Sequence, residues 1–184
     1  MNRRREFIRG AGLGALAFSV GGASVLLTPR EAHAQNVPYR TLKAAEAEAI
    51  EALGETLVPG ARAAGIAHFI DHQVSVPPEE ALLEARILNV RPPYLNFYRA
   101  ALGALERASQ AQHGRGFAQL SDVERRELVN LMRQNKVEGW QGPPSGFVYF
   151  VLRSDAVDVV YGTEEGYKEL GIPYMAHIAP LKRW

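Results

Sequence analysis

The 184-residue chain contains no cysteine, which excludes disulfide bonds, cysteine-ligated zinc, iron–sulfur clusters and covalently attached c-type haem. Its 21 lysine and arginine residues nearly balance 20 aspartate and glutamate residues, so it lacks the basic excess that is typical of nucleic-acid-binding proteins. This length suits a single domain with one hydrophobic core.

The N-terminus has the pattern of a twin-arginine export signal. The pair Arg4 and Arg5 is followed after one residue by Phe7, and an apolar but glycine-rich run extends from Ala11 to Leu27. The run is shorter and less apolar than the roughly 20 residues that a membrane-spanning helix requires. An uncleaved membrane anchor is the alternative interpretation of this segment.

The apolar run ends at a predicted cleavage site. Ala32 and Ala34 flank His33 and supply the two small residues that signal peptidases recognise, so we expect the mature chain to begin at Gln35. Residues 1–34 are therefore predicted to be a signal peptide that directs the protein to the periplasm. Because the twin-arginine route transports folded cargo, the protein is expected to hold a cofactor or to accompany a partner.

After a short polar lead-in at residues 35–41, which we expect to be flexible, the sequence predicts an all-α fold. Apolar residues recur at every third and fourth position from Leu42 to Leu57, which indicates an amphipathic helix capped by Thr41. We expect residues 42–162 to form a compact single-domain bundle of about five to six helices. Further helices are predicted from Ala61 to the Pro77-Pro78 pair, from Glu79 to Val90, from Pro93 to Gln110, after Ser121, and from Phe147 to Tyr161.

Two of these helices carry distinctive signals. Ser121 and Glu124 form a capping box, in which each side chain accepts a hydrogen bond from the other residue's backbone N–H. Residues 147–152 are the most apolar stretch of the mature chain and are also compatible with a buried strand. The continuation of this segment to Tyr161, with Ser145 as a cap, favours a buried helix.

The segment from His68 to His72 is the candidate for chemistry. The two histidines are four residues apart and share a helix face with Asp71 nearby, as in some metal sites. The pattern differs from the inverted zinc-protease motif, because aspartate stands where that motif has the glutamate that activates water. The other interpretation is structural, with a histidine hydrogen-bonded at the helix surface while Phe69 and Ile70 face the core.

Residues 163–184 are expected to form an irregular, extended tail that docks on a partner chain. Glycine and proline are too frequent for a single helix, whereas aromatic residues are more frequent than in disordered tails. Aromatic residues and methionine are enriched at protein interfaces, and the loop at residues 138–146 also displays a tryptophan. The predicted partner-binding residues are Trp140, Tyr167, Tyr174, Met175 and Trp184.

Three features together resemble the gluconate 2-dehydrogenase subunit 3 family, and the likeness covers nearly the whole mature chain. They are the export signal on a small cysteine-free chain, the sequence of residues 57–71, and the sequence of residues 161–174. The turn between Pro59 and Gly65 is shorter than in many members of that family.

The resemblance implies a non-catalytic subunit. Members of this family accompany a large FAD-containing subunit of the glucose-methanol-choline oxidoreductase type, and often a multi-haem cytochrome c subunit. The large subunit oxidises a sugar, sugar acid or alcohol, while the small subunit supplies the export signal and stabilises its partner. The resemblance transfers no catalytic, cofactor-binding or metal-binding residue. The residues alone leave two alternatives, which are a stand-alone metal enzyme that uses His68, Asp71 and His72, and a ligand-binding helical domain.

Overall fold

The structure is a computed structural model that describes residues 15–173. Within this range it is mostly helical, and its one sheet is an antiparallel hairpin of β1 (Leu16–Val20) and β2 (Ala23–Leu27). The helices are α1 (Pro29–Ala34), α2 (Ala44–Leu57), α3 (Ile66–Ser75), α4 (Glu84–Ile87), α5 (Tyr94–His113), α6 (Asp122–Arg133), α7 (Ser145–Tyr161) and α8 (Glu164–Glu169), with a 3-10 turn at Phe117–Gln119.

The predicted all-α fold is confirmed. Helix α2 packs against α3, α5, α6, α7 and the 3-10 turn, and α7 also contacts α3, α4 and α8. One hydrophobic core results, to which α2 to α7 and the 3-10 turn contribute apolar side chains. Each large side chain removed from water there stabilises the fold by about 1.5–3 kcal/mol. Its largest fully buried members include Tyr98, Phe117, Ile50, Leu53, Leu128 and Leu152.

The two distinctive helix signals are also found in the structure. The Ser121 hydroxyl accepts the Glu124 N–H at 3.4 Å, and the Glu124 carboxylate accepts the Ser121 N–H at 2.7 Å. Helix α7 runs through the apolar stretch as predicted, although its N-cap is Pro144. Ser145 is instead its first residue and donates its hydroxyl to the Met132 carbonyl at 3.0 Å, which ties α7 to α6.

Helix α3 begins at Ile66 and not at Ala61 as predicted, because Gly65 before it has a positive φ of 83°, outside the helical range. Residues 61–65 form turns instead.

Two further helix boundaries differ from the predictions for physical reasons. Helix α2 is capped by Lys43 and not by Thr41, whose hydroxyl is instead hydrogen-bonded to that of Ser75 at 2.7 Å. The helix predicted over residues 79–90 is a single turn, α4. Before it, the chain is held in a non-helical path by the Gln73 side chain, which accepts the Leu82 N–H at 2.7 Å.

The hairpin and α1 lie within residues 1–34, where the sequence predicts a signal peptide. Phe18, Leu27, Ala32 and Val37 form a second, smaller apolar cluster beside the main core. Glycines at both turn positions, Gly21 and Gly22, adopt positive φ angles of 58° and 83°, which suits a tight two-residue hairpin turn. We call residues 16–34 the leader segment.

Candidate functional site

Asp71 anchors the chain where it enters the helical bundle. Its carboxylate accepts the backbone N–H groups of Arg40 at 2.8 Å, Thr41 at 2.9 Å and Leu42 at 2.8 Å. The Asp71 residue is 3% exposed, so its oxygens are shielded from water and are satisfied by these amides. Both carboxylate oxygens are therefore engaged in holding the backbone.

His68 and His72 are buried on α3 beneath the hairpin. The His68 Nε2 donates to the Val37 carbonyl at 2.9 Å, and the Tyr39 ring lies against the His68 ring at a centroid distance of 4.6 Å and an interplanar angle of 39°. The Phe18 ring lies 6.2 Å from the His68 ring and 5.6 Å from the His72 ring. Burial lowers the pKa of both imidazoles, so they are neutral at pH 7. The Nδ1 atom of each is buried without a hydrogen-bond partner in residues 15–173.

These contacts favour a structural role for the histidines over a metal site. In residues 15–173, no group of three potential ligands is placed to hold a metal ion. The Asp71 oxygens point at backbone amides, and His68 is bonded to a carbonyl through Nε2. The predicted position of a histidine at the helix surface is wrong, however. Both histidines are buried beneath the leader segment.

The leader segment is attached to the bundle by polar contacts as well as by its apolar cluster. The Arg40 guanidinium donates to the Ala17 carbonyl at 2.8 Å. His33 Nδ1 lies 3.5 Å from a carboxylate oxygen of Glu51 on α2. Helix α1 begins with a capping box between Thr28 and Glu31. The predicted cleavage site therefore lies in a capped helix, with Ala32 buried and Ala34 exposed.

Gly65 allows the leader segment to approach α3 closely. This residue caps α3 at a φ of 83°, where a side chain is unfavourable. A Cβ at this position would also collide with the backbone carbonyl of Pro29. Glycine is thus required here both by the local backbone conformation and by the contact with the leader segment.

A cavity of about 440 Å³ separates part of the leader segment from the C-terminal end of the bundle. Its walls are mostly apolar, and the leader segment contributes one side while α3, α7 and the α7–α8 turn contribute the others. Burial raises the pKa of the Asp158 carboxyl at this cavity. The lining includes Leu16, Pro29, Phe69, Asp158, Val159 and Thr163.

A second buried carboxylate, Asp155, joins α4, α5 and α7. It accepts the Tyr98 hydroxyl at 2.6 Å and the Glu84 N–H at 3.0 Å. Burial raises the pKa of Asp155 to about 7 and also raises that of Tyr98. The partners are 57 and 71 residues away in the sequence, so no local pattern marks this site.

The predicted partner-binding residues fall in two places. The half-buried Trp140 donates its indole N–H to the Pro143 carbonyl at 2.6 Å and is thereby held within its own loop. Tyr167 is half-buried on α8. The first part of the predicted extended tail is thus helical, because the Thr163 hydroxyl caps α8 by accepting the Gly166 N–H at 3.1 Å. The predicted residues Tyr174, Met175, Trp184, Arg4, Arg5 and Phe7 lie outside the described range.

Comparison with known proteins identifies the family. The sequence model of gluconate 2-dehydrogenase subunit 3 matches residues 44–176, which is more than half of the chain. Comparisons with curated proteins and with solved structures found no match. Across residues 15–173, no helix has the length and apolar character needed to cross a membrane. The matched range includes α2 to α8 and excludes the leader segment. This chain belongs to the gluconate 2-dehydrogenase subunit 3 family, whose members are subunits of dehydrogenase complexes.

Proposed function

We propose that this protein is the small, non-catalytic subunit of a periplasmic FAD-dependent dehydrogenase complex. The observation that carries the proposal is the family match over residues 44–176. The catalytic partner would be a large FAD-containing subunit of the glucose-methanol-choline type, which oxidises a sugar, sugar acid or alcohol. A multi-haem cytochrome c subunit would accept the electrons.

The contacts of the buried polar residues support an accessory role. Asp71 binds three backbone amides, and Asp155 binds a backbone amide and a tyrosine hydroxyl. His68 is bonded to a backbone carbonyl. These side chains, which would be the first candidates for acid–base chemistry, are thus engaged in holding the fold together.

The small subunit would also carry the export signal for its partner. In this proposal Arg4, Arg5 and Phe7 direct the assembled complex to the twin-arginine route, which accepts folded proteins. A large subunit that binds FAD in the cytoplasm and has no signal of its own would then travel with the small subunit.

We place the docking surface for the large subunit at the C-terminal end of the bundle. Leu82, Leu170 and Ile172 are 60%, 53% and 51% exposed, although large apolar side chains are usually buried. Leu170 and Ile172 directly follow α8, which carries the predicted contact residue Tyr167. Exposed apolar residues of this kind are typical of interface cores.

Placing two charges on this surface is expected to separate the subunits. Leu170→Asp combined with Ile172→Asp should lower recovery of the large subunit with the tagged small subunit by about tenfold or more, because desolvating an unpaired carboxylate is costly. Val123→Asp is the matched control, since Val123 is 57% exposed on α6. Recovery should be measured by quantitative gel analysis. Undiminished recovery with the double variant would contradict this placement of the interface.

A further inference from the structure

We propose that the leader segment is an internal latch on the α3 face of the bundle. While the chain has no partner, the docked leader segment keeps the apolar run of the export signal from binding the translocase. It leaves this face when the catalytic chain of the complex binds there. This inference rests on the proposed function for its biological meaning, although the docked state can be tested without it.

The leader segment makes specific contacts and covers a defined face of the bundle. Phe18 is 3% exposed and contacts the His68 and His72 rings. Leu26, whose side chain projects from the opposite face of the hairpin, is 42% exposed. Arg40 holds the backbone of β1 from the bundle side. The hairpin therefore has an inner and an outer surface, as expected of a docked element.

Docking of the leader segment makes the apolar run of the export signal less accessible. The apolar run from Leu16 to Leu27 is folded on itself as paired strands, and Phe18 in the middle of β1 is buried. A translocase that binds this run as a free apolar segment would have to detach it first. The bond after Ala34 lies at the end of a capped helix, and proteolysis requires such a backbone to unfold locally.

The leader segment covers the α3 face but does not meet all of its hydrogen-bonding and apolar groups. His68 and His72 each keep a buried Nδ1 without a partner in the described residues, which disfavours the docked state relative to one that supplies hydrogen-bond donors. The cavity of about 440 Å³ beside Pro29 and Phe69 has mostly apolar walls that the leader segment does not cover. A partner chain that filled this space and donated to the imidazoles would compete effectively.

The cavity adjoins the proposed docking surface. Leu82, Thr163 and Glu165 line the cavity on the side opposite the leader segment. Leu82 is one of the exposed apolar residues of that surface, and Thr163 caps α8. A catalytic chain that binds at α8 would therefore reach the edge of the leader segment, so binding and release can be coupled through one continuous surface.

Two glycine variants test the docked state without changing the signal itself. Gly65→Ala introduces a Cβ that collides with Pro29, whereas Gly60→Ala, at a similar φ of 90°, meets no atom within 4 Å. The backbone strain common to both variants therefore cancels in the comparison. In the purified full chain, we expect tryptic cleavage after the exposed Arg30 to be about tenfold faster in Gly65→Ala than in Gly60→Ala. Equal cleavage rates would overturn the latch.

A second pair of variants covers the case in which Gly65→Ala does not fold. Phe18→Ser removes the buried ring, and Leu26→Ser replaces an apolar side chain on the outer surface of the same hairpin. Faster cleavage after Arg30 is expected only for Phe18→Ser. Equal rates in this pair would likewise overturn the latch.

Measuring export in cells tests whether the docked leader segment blocks the export signal. Without the catalytic chain, wild type and Gly60→Ala should stay in the cytoplasm, and Gly65→Ala should be exported. With the catalytic chain, all three should be exported. Equal export of wild type and Gly65→Ala without the partner would overturn this block of the signal. Failure of every chain to be exported even with the partner would instead overturn the export proposal, while the trypsin result would still decide whether the leader segment is docked.

Discussion

Replacing Asp71 by alanine is expected to lower the free energy of unfolding by about 3–5 kcal/mol. The substitution removes the acceptor of the backbone N–H groups of Arg40, Thr41 and Leu42 at the entry to the bundle. Urea denaturation of the full chain at pH 7.5, followed by far-UV circular dichroism, measures the loss. Asp122→Ala is the matched control, because the Asp122 side chain is 73% exposed and its ion pair with Arg125 contributes about 1 kcal/mol or less.

Asp71→Asn refines this test. Asparagine keeps one acceptor oxygen but turns an NH₂ group toward one of the backbone N–H donors, so an intermediate loss is expected. A loss below about 1 kcal/mol in Asp71→Ala would contradict the anchoring role. Stabilisation of the wild type by a transition metal, abolished in His68→Ala and His72→Ala, would instead support the metal-site alternative.

Replacing Asp155 by alanine should destabilise the fold by a similar amount, about 3–5 kcal/mol. The Tyr98 hydroxyl and the Glu84 N–H would both lose a buried partner, and a small void would open between α4, α5 and α7. The same denaturation experiment measures this loss. A loss no larger than that of Asp122→Ala would contradict the proposed role of Asp155.

The raised pKa of Asp155 predicts that the free energy of unfolding depends on pH. Its pKa is about 7 in the folded chain and 3.8 as an isolated group, so the folded state binds this proton more tightly. The stabilisation that results is present at low pH and is lost as the pH rises from about 4 to 7. Asp155→Asn can keep both hydrogen bonds without titrating, and it should remove this slope.

The contribution of Asp155 is the difference in the free energy of unfolding between wild type and Asp155→Asn, measured at each pH from 4.5 to 8. His68 and His72 contribute in the opposite sense, because their lowered pKa values make the fold less stable as the pH falls below about 6.5. Both chains carry these histidines, so their contribution cancels in the difference. Parallel stability curves for the two chains would contradict the raised pKa of Asp155.

Much of the helical fold follows from local sequence patterns. Helices α2, α5, α6 and α7 could be predicted because each has apolar residues at helical spacing or a run long enough to exclude a strand. The capping box at Ser121 and Glu124 depends only on residues three apart, and it is found as expected. Such features are decided by neighbours along the chain.

The remaining features depend on contacts between distant residues. Asp71 looks like part of a metal motif in sequence, and its use as a backbone anchor becomes visible only when residues 40–42 lie beside α3. Asp155 meets Tyr98 and Glu84 across the fold. The burial that raises its pKa is likewise a property of the packed helices.

The residues of the hairpin fit two sequence patterns, a β-hairpin and an export signal. Gly21 and Gly22 separate two five-residue apolar runs, which is a typical hairpin pattern. The arginine pair ahead of these runs makes the same residues an equally good export signal. Both properties can belong to one segment, and this is the basis of the latch proposal.

The most direct test of the accessory-subunit proposal is to isolate the full chain from its native host and record the absorption spectrum of what comes with it. One version should carry a C-terminal tag and a second an internal tag at Gly114, an exposed position with no atom within 4 Å of an added Cβ. We expect a large chain with a flavin spectrum from both preparations. A colourless polypeptide without a partner from both would contradict the proposal.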